Sequence, residues 1–447
     1  GNAVNAELYG PLADNDQRRV GALICFYKKF YRIAGLVFST LALITGIVLY
    51  ILFADSAIGG SRAAGYFLML AATTAGSYFL AYRFVLLTAA QELIGLKILN
   101  IVLRYSCTIL ALITMWMTRS ILVYFSVNLI ANLAYLLVMN GLLAKHCAGQ
   151  RQNPPLEPET KGRIIKIVKG SIFHYVGGLA LNGTDNIYSA IFAGGLSGAA
   201  VYSNYKTIVD ALLSLIDRVF TALTASIGNL LAKEDNEAVY DKFRVLFFIN
   251  FVVMAVFSVA FFNCIQPFIT LWLGDTYLMG QTVPLLMTVY LLMAGTRYTV
   301  LKFLTAAGIF YEGRFFPLIE AAINIAASLI LGPVFGFAGI VSANIISTLA
   351  AAYIQKPLLL FKYVFKKSAL PFFRDVALYT AGAVLGILAS RLLLGWIGIR
   401  NDLTGFFLAG IISVVCCGGV YSLLFMKTKP FKETIRFFTS RFHSKTN

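Results

Sequence analysis

The chain has 447 residues, of which 59% are hydrophobic and 13% charged, with a net charge of +17 and a mean hydropathy of +0.78. A soluble domain carries about 25% charged residues, so this composition excludes a soluble protein. The Lys and Arg residues form no basic stripe with interleaved aromatic residues, which argues against nucleic-acid binding. The six cysteines lack any CxxC or metal-ligand spacing, and therefore imply neither a disulfide framework nor a metal site.

Apolar segments of about 20 residues recur along the whole chain, and each is long enough to cross a ~30 Å hydrocarbon core as a helix. Residues 1–10 look like the end of a further helix. The sequence predicts an all-α polytopic membrane protein with complete spans at 33–53, 64–82, 98–117, 120–143, 169–192, 197–229, 245–265, 283–304, 315–334, 338–360, 375–394 and 404–425.

Lys and Arg concentrate in alternate loops and in the C-terminal tail. The intervening loops carry only Arg62, Arg119, Arg391 and Arg400. By the positive-inside rule, the basic loops and the C-terminus are predicted to be cytoplasmic. The polar, proline-containing segment 145–165 is one of these loops, and we interpret it as a cytoplasmic linker between two lobes.

The predicted organisation is an N-lobe (1–144), the linker (145–165), a C-lobe (166–365), and an extra helix pair with a basic tail (366–447). Residues 12–16 resemble 231–236, and Gly1-Asn2 resembles Gly228-Asn229, at offsets of 219 to 227 residues. This pattern indicates a parallel repeat, with substrate bound between the lobes and access alternating as they rock. The repeat also predicts that about 60 further residues precede Gly1.

Two predicted helices carry polar residues at helical spacing, which places the residues of each set on one face. Ionisable groups in hydrocarbon cost roughly 2.5–3.5 kcal/mol each, so such faces favour an aqueous cavity. The alternative is interhelical contact, with Lys206 satisfied by Asp185 or Asp210. The two sets are Ser171, His174, Gly178, Asn182, Asp185 and Ser189, and then Ser203, Lys206, Asp210, Ser214, Asp217, Thr221, Thr224 and Gly228.

Further charges fall inside predicted spans. Arg297 is too deep to reach the interface comfortably, and is predicted either to hold a phosphate or to pair with Glu320 on the next helix. Arg104 either lines the cavity or snorkels to the interface. Lys302 and Arg218 are interpreted as interfacial or structural, and His174 is a candidate proton relay. No nucleotide-binding loop and no hydrolase or metalloprotease motif is present, so no catalytic residue is predicted.

Several short strings resemble those of Wzx-type flippases, which belong to the MATE-like (MOP) flippase superfamily. They are residues 9–13 and 26–32, then Gly183-Thr184-Asp185-Asn186-Ile187, Tyr202-Ser203-Asn204-Tyr205, Thr224-Ala225-Ser226-Ile227-Gly228-Asn229 and Ile269-Thr270-Leu271-Trp272-Leu273-Gly274. The resemblance implies a fourteen-helix fold of two six-helix lobes and an extra pair, with helix 1 and most of helix 2 absent from this chain.

The resemblance also implies a function. Such proteins move undecaprenyl-pyrophosphate-linked oligosaccharides across the bacterial inner membrane, from the cytoplasmic to the outer leaflet, for O-antigen, capsule or exopolysaccharide synthesis. They need no cofactor, and their expected partners are the bilayer, the lipid-linked glycan and a polysaccharide polymerase or other export machinery. The implied phosphate-binding residues are Lys206, Arg297 and Arg104. Cavity lining or coupling to H⁺ or Na⁺ falls to Asp185, Asp210, Asp217, Asn182, His174, Ser203 and Glu320.

Two other functions are open. A MATE-type cation-coupled exporter of drugs or organic cations would have the same fold, but with a cavity dominated by carboxylates. A membrane-embedded glycosyltransferase or polymerase would need a catalytic carboxylate on a large outer loop. The longest outer loop, near 266–282, contains a single carboxylate, Asp275, which argues against an enzyme.

Overall fold

The computed structural model describes residues 16–54, 59–89, 94–146, 162, 183–309, 312–313, 315–398 and 402–443. The described part is helical and contains no strand. The chain divides into two compact units, Gly1–Lys169 and Gly170–Asn447. The predicted end of a helix at 1–10 and most of the linker 145–165 lie outside the described residues.

Unit 1 contains four described helices. They are α1 (Gln17–Leu52), α2 (Gly60–Ala89), α3 (Ile94–Thr118) and α4 (Ile121–His146). Helix α2 packs against α1 and α4, and α4 also packs against α3. Between α2 and α4, Arg83 Nη1 donates to the Asn140 backbone oxygen at 2.8 Å.

Unit 2 contains nine described helices. They are α5 (183–192), α6 (Gly195–Lys233), α7 (Asn236–Leu273), α8 (Thr282–Ala306), α9 (Phe316–Phe335), α10 (Phe337–Phe365), α11 (Leu370–Ile397), α12 (Leu403–Phe425) and α13 (Lys429–His443). Helix α7 is central, since α8, α11, α12 and α13 all pack against it.

The first helix of unit 1 and the central helix of unit 2 begin in the same way. The Asp16 side chain accepts from Arg19 N at 3.0 Å, and the Asp235 side chain accepts from Ala238 N at 2.8 Å. Each aspartate therefore satisfies one of the unpaired N–H groups at a helix start. The two caps occupy corresponding positions of the predicted sequence repeat.

Nine helical segments in the described part of the chain are long and apolar enough to cross a membrane. The predicted all-α polytopic class is confirmed. Helix α1 begins at Gln17, although the apolar pattern predicted a start near 33. Basic residues on both sides of the apolar run 20–27 lower the average hydropathy of the first turns. Helix α13 was not predicted as a helix, since a basic amphipathic segment resembles a tail by composition alone.

The core of unit 2 is aromatic around the first turns of α7. Rings of α7, α10, α11 and α12 form one cluster there, with centroid separations of 4.8–6.3 Å. The cluster consists of Phe243, Phe247, Phe248, Phe251, Phe361, Phe365, Phe372, Tyr379 and Phe425. Each pair at this spacing contributes about 0.5–1.5 kcal/mol of stability beyond burial alone. The cluster therefore holds α10, α11 and α12 against α7.

Two buried amide side chains of α7 also join the helices of unit 2. Asn250 Nδ2 donates to Thr299 Oγ1 on α8 at 2.9 Å, and Asn263 Nδ2 donates to Ser390 Oγ and Ser413 Oγ at 2.9 and 2.8 Å. In a membrane such hydrogen bonds join helices where the hydrophobic effect between them is weak. They hold α8, α11 and α12 on the central helix.

Helix α9 turns directly into α10 at Gly336, which has a φ of +55° that L side chains rarely adopt. Helix α10 then departs from regular α geometry, with π-helical turns at Thr348–Gln355 and Phe361–Phe365. Such π-helical turns are rare and often mark functional sites. The first of them ends immediately before Lys356.

Candidate functional site

Lys206 on α6 is the centre of an ion-paired group. Its Nζ lies 3.6 Å from Asp185 Oδ2 on α5 and 3.4 Å from Asp210 Oδ1, one turn further along α6. The Asp185 side chain is 1% exposed, whereas that of Asp210 is 51% exposed. Lys206 therefore makes an interhelical contact and also connects the interior of unit 2 to an open helix face.

Asp185 is held by a hydrogen-bond network from three other helices. Its Oδ2 accepts from Tyr202 Oη at 3.2 Å and from Asn344 Nδ2 at 2.9 Å. Asn344 Oδ1 in turn accepts from Asn324 Nδ2 at 2.7 Å. Oδ1 of Asp185 and Oδ1 of Asn324 have no hydrogen-bond partner among the described residues. Two buried oxygen acceptors are thus left that a proton or a cation can satisfy.

The described residues contain no group of three or more His, Cys, Asp or Glu side chains that could hold a metal ion. Any cation at Asp185 Oδ1 would be held by oxygen donors. Such oxygen donors suit hard cations rather than zinc or copper.

Arg297 on α8 pairs with Glu320 on α9. The Arg297 Nη1 to Glu320 Oε1 distance is 2.9 Å, and the Glu320 side chain is only 5% exposed. Of the two roles predicted for Arg297, the structure shows the ion pair. The Arg297 side chain has an exposed fraction of 25%, so part of the side chain stays accessible.

A second pair joins α8 to α6. Lys302 Nζ lies 2.7 Å from Asp217 Oδ1 and donates to Thr221 Oγ1 at 2.9 Å. Asp217, predicted to line the cavity, therefore lies on the polar face of α6 but has a cation of its own. Lys302, predicted to be interfacial or structural, is thus ion-paired within unit 2.

The exposed face of α6 is polar over four turns. Thr207, Asp210, Ser214, Arg218 and Thr221 are all exposed and recur at spacings of three or four residues. An exposed face of this composition in a membrane helix requires water rather than lipid. Ser203, at the start of the predicted stripe, is half-buried.

Arg218 is the cation that the sequence pattern undervalued. It was interpreted as interfacial or structural, although it recurs with Ser214 and Thr221 at helical spacing. The side chain is exposed, and no carboxylate among the described residues lies within 4 Å of it. It is therefore available to an anionic ligand.

Lys356 on α10 is a second cation that the sequence pattern missed. It is half-buried, lies within electrostatic range of Arg297 and Glu320, and has no ion pair within 4 Å in the described part of the chain. The neighbouring Gln355 has a buried Oε1 without a hydrogen-bond partner there. A lysine inside the predicted span 338–360 was the available clue, but a hydropathy average conceals a single charge.

The ion-paired group around Lys206 and the Arg297–Glu320 pair are neighbours. Tyr290 on α8 lies within electrostatic range of both Lys206 and Arg297. The residues of these groups and of the Lys302–Asp217 pair, with Arg218 and Lys356, are five cations and four carboxylates, an excess of one positive charge when all are ionised. The members are Lys206, Arg218, Arg297, Lys302 and Lys356, with Asp185, Asp210, Asp217 and Glu320.

The remaining predicted site residues lie in unit 1 or outside the described residues. Arg104 lies on α3 of unit 1, where its side chain is exposed. Asn182 and His174 lie outside the described residues. Their predicted roles in cavity lining and proton relay stay predictions.

No family model and no curated protein matches the sequence. Solved structures do match. The lipid II flippase MurJ in an inward closed conformation aligns over 95% of this chain and 93% of its own, with a TM-score of 0.64 and 13% identity. The Vibrio cholerae MATE transporter VcmN aligns over 82% of this chain and 85% of its own as a mutant, with a TM-score of 0.57 and 14% identity.

The bent form of VcmN gives a similar match, with a TM-score of 0.53, 15% identity and coverage of 82% and 84%. At such identities, the matches establish the fold and leave substrate and mechanism open. The predicted MATE-like fold class is confirmed by them. The finer resemblance to Wzx-type flippases stays a prediction.

Proposed function

We propose that the protein is a flippase that moves a polyprenyl-pyrophosphate-linked oligosaccharide from the cytoplasmic to the outer leaflet of the bacterial inner membrane by alternating access. The observation that carries the proposal is the exposed polar face of α6, with Arg218 lacking a carboxylate partner among the described residues. This face belongs to a chain in which nine described helical segments are long and apolar enough to cross a membrane.

The chemistry of that face suits a glycan headgroup. Thr207, Ser214 and Thr221 offer hydroxyl groups, which both donate to and accept from sugar hydroxyls. The polyprenyl tail is as apolar as the bilayer and has no need to leave it. A wet face on a membrane helix can thus accommodate the part of the substrate that lipid rejects.

The pyrophosphate requires cations that are not already neutralised. Lys206 and Arg297 were the implied phosphate-binding residues, and both have carboxylate partners. Arg218 and Lys356 have none within 4 Å in the described residues. We therefore assign the pyrophosphate first to these two, with Lys206 and Arg297 adding positive potential nearby. Arg104 stays a candidate from unit 1.

Energy coupling is proposed at Asp185. Its unpartnered Oδ1 is buried beside Lys206, so binding of H⁺ or Na⁺ there would weaken the hold of the carboxylate on the lysine. A freed lysine adds positive charge for the substrate phosphate. The membrane potential is the other candidate source of energy.

A second candidate function is a cation-coupled exporter of organic cations. It is favoured by the exposed carboxylate of Asp210 on the same face of α6, and by the fold shared with VcmN. Against it stands the excess of positive charge among the embedded residues. A polymerase or export machine as a partner stays an expectation from the resemblance.

A proteoliposome assay tests the proposal. The substrate is a polyprenyl-pyrophosphate sugar with a fluorescent group on the sugar, and an impermeant reductant bleaches only the molecules in the outer leaflet. Arg218→Gln and Lys356→Gln should each slow flipping by roughly tenfold, since a charge-assisted hydrogen bond contributes about 1.5–3 kcal/mol. Arg391→Gln is the matched control, an exposed arginine at the far end of unit 2, and should flip at the original rate.

Two results would decide against the flippase. Flipping no faster than in protein-free vesicles would overturn the proposal itself. Substrate flipping that is unaffected by both Arg218→Gln and Lys356→Gln would overturn the assignment of the phosphate site. Uptake of a fluorescent organic cation that is lost in Asp210→Asn would instead support the exporter.

A further inference from the structure

Helix α13 (Lys429–His443) is too short to be a further membrane span. Its 15 residues correspond to about 22 Å, against the ~30 Å of a hydrocarbon core. It follows the last residue of α12, Phe425, after only three residues. The helix must therefore lie at the end of unit 2 where α12 leaves the membrane, which the distribution of basic loops predicts to be cytoplasmic.

The first turn of α13 is fixed to the central helix α7. Lys429 Nζ lies 2.6 Å from Asp241 Oδ2, and the Phe431 ring is 6.2 Å from the Phe248 ring and packs against the core. Pro430 is buried. The helix is thus a docked element with a defined start, and its remaining turns project from a fixed point.

The segment that contains this anchor is basic and amphipathic. From 427 to 445 it contains six Lys or Arg residues and a single acidic residue, Glu433. Lys427, two residues before the helix, is exposed, and so are Lys432, Ile435 and Arg436 within it, with an exposed fraction of 48% for Ile435. Exposed basic and apolar side chains on one short helix beside a membrane are typical of elements that lie in the headgroup layer.

We propose that α13 is an interfacial helix that recruits anionic phospholipid to the end of α7. The partner is identified by charge complementarity, because a basic segment beside the membrane is attracted to anionic headgroups. Since α13 is attached to α7, and α7 carries α8, α11 and α12, the bound lipid lies against the core of unit 2. The inference is independent of which substrate the protein moves.

Trp fluorescence of the full chain tests the proposal. Ile435→Trp is made in a chain whose Trp116, Trp272 and Trp396, all exposed, are replaced by Phe. Two sets of vesicles have the same lipid composition. About one lipid in five is the anionic phosphatidylglycerol, and the rest is phosphatidylcholine. In one set the phosphatidylglycerol carries bromine atoms as quencher. In the other, an equal mole fraction of phosphatidylcholine carries them.

Brominated phosphatidylglycerol should quench the tryptophan roughly twofold more than brominated phosphatidylcholine. The excess should vanish in Lys427→Gln/Lys432→Gln, and in roughly 1 M salt, where charges are screened over about 3 Å. The matched control Arg62→Gln/Arg391→Gln removes two exposed cations elsewhere and should retain the excess.

Equal quenching by the two brominated lipids would overturn the recruitment of anionic lipid. An absence of quenching by either lipid would place α13 away from the bilayer, and would overturn the interfacial assignment in favour of a soluble partner. Elution of every variant as a single species on size exclusion ensures that the differences arise at α13 and not from unfolding.

Discussion

Arg297 on α8 and Glu320 on α9 form a direct ion pair, with 2.9 Å between Nη1 and Oε1. The sequence had left a phosphate and Glu320 open as partners of Arg297, and the structure shows the arginine neutralised by Glu320. This pairing moves the candidate phosphate contacts to Arg218 and Lys356. The pair is also expected to stabilise the fold, so that removing one partner should lower the free energy of unfolding.

We expect each single substitution at this pair to be costly and the double substitution to be mild. Glu320→Gln leaves a half-buried arginine without its carboxylate, and Arg297→Gln leaves a buried carboxylate without its cation. The loss of one partner should lower the free energy of unfolding by about 3–5 kcal/mol. The double variant removes both charges and should recover most of that loss. Thermal unfolding in detergent measures all three. Additive losses in the double variant would show that the two residues do not act as a pair.

Lys206 and Asp185 should differ in the cost of their removal. Lys206→Gln leaves Asp185 buried without a cation, whereas Asp185→Asn leaves Lys206 with Asp210 at 3.4 Å. A buried uncompensated charge costs several kcal/mol. The free energy of unfolding should therefore fall more in Lys206→Gln than in Asp185→Asn. The reverse order in a thermal unfolding series would mean that Asp210 does not support the lysine.

Gly295 permits the close approach of α8 to α7. A Cβ at this position would lie 2.2 Å from Met254 Cε and 2.4 Å from its Sδ. Gly295→Ala should therefore destabilise the protein by about 1–3 kcal/mol through overpacking. Gly228→Ala is the control, since nothing lies within 4 Å of its Cβ, and it should be neutral or slightly stabilising. Equal unfolding temperatures for the two variants would contradict the predicted packing.

The ion pair of Lys429 with Asp241 should fix the first turn of α13 without affecting overall stability. The hydrogen bond to Asp241 raises the pKa of Lys429 above its ordinary value of 10.5. Its contribution is therefore complete below about pH 10.5 and is lost as pH rises through the raised pKa. Lys429→Gln should speed amide exchange within α13 at neutral pH and leave the melting temperature unchanged. Unchanged exchange would show that Phe431 alone holds the helix.

The sequence by itself determined the fold class and most of the helices. Hydropathy is summed along the chain, so twenty apolar residues predict a span without knowledge of its neighbours. The N-caps Asp16 and Asp235 are local features too, because an N-cap satisfies backbone groups only a few residues away. The apolar pattern nevertheless placed the two spans at 33 and 245, because hydropathy locates the membrane crossing and not the helix start. The polar stripe of α6 was visible for the same reason, since helical periodicity places its members on one face.

Only the tertiary structure decided which charges are free. Lys206 and Arg297 looked like phosphate contacts until packing brought Asp185 and Glu320 to them from other helices. Arg218 and Lys356 gained their role because packing brings no carboxylate within 4 Å of them among the described residues. Coulomb energy depends on distances between atoms far apart in the chain. Spacing along a sequence therefore locates charges, and the fold alone determines which of them a substrate can use.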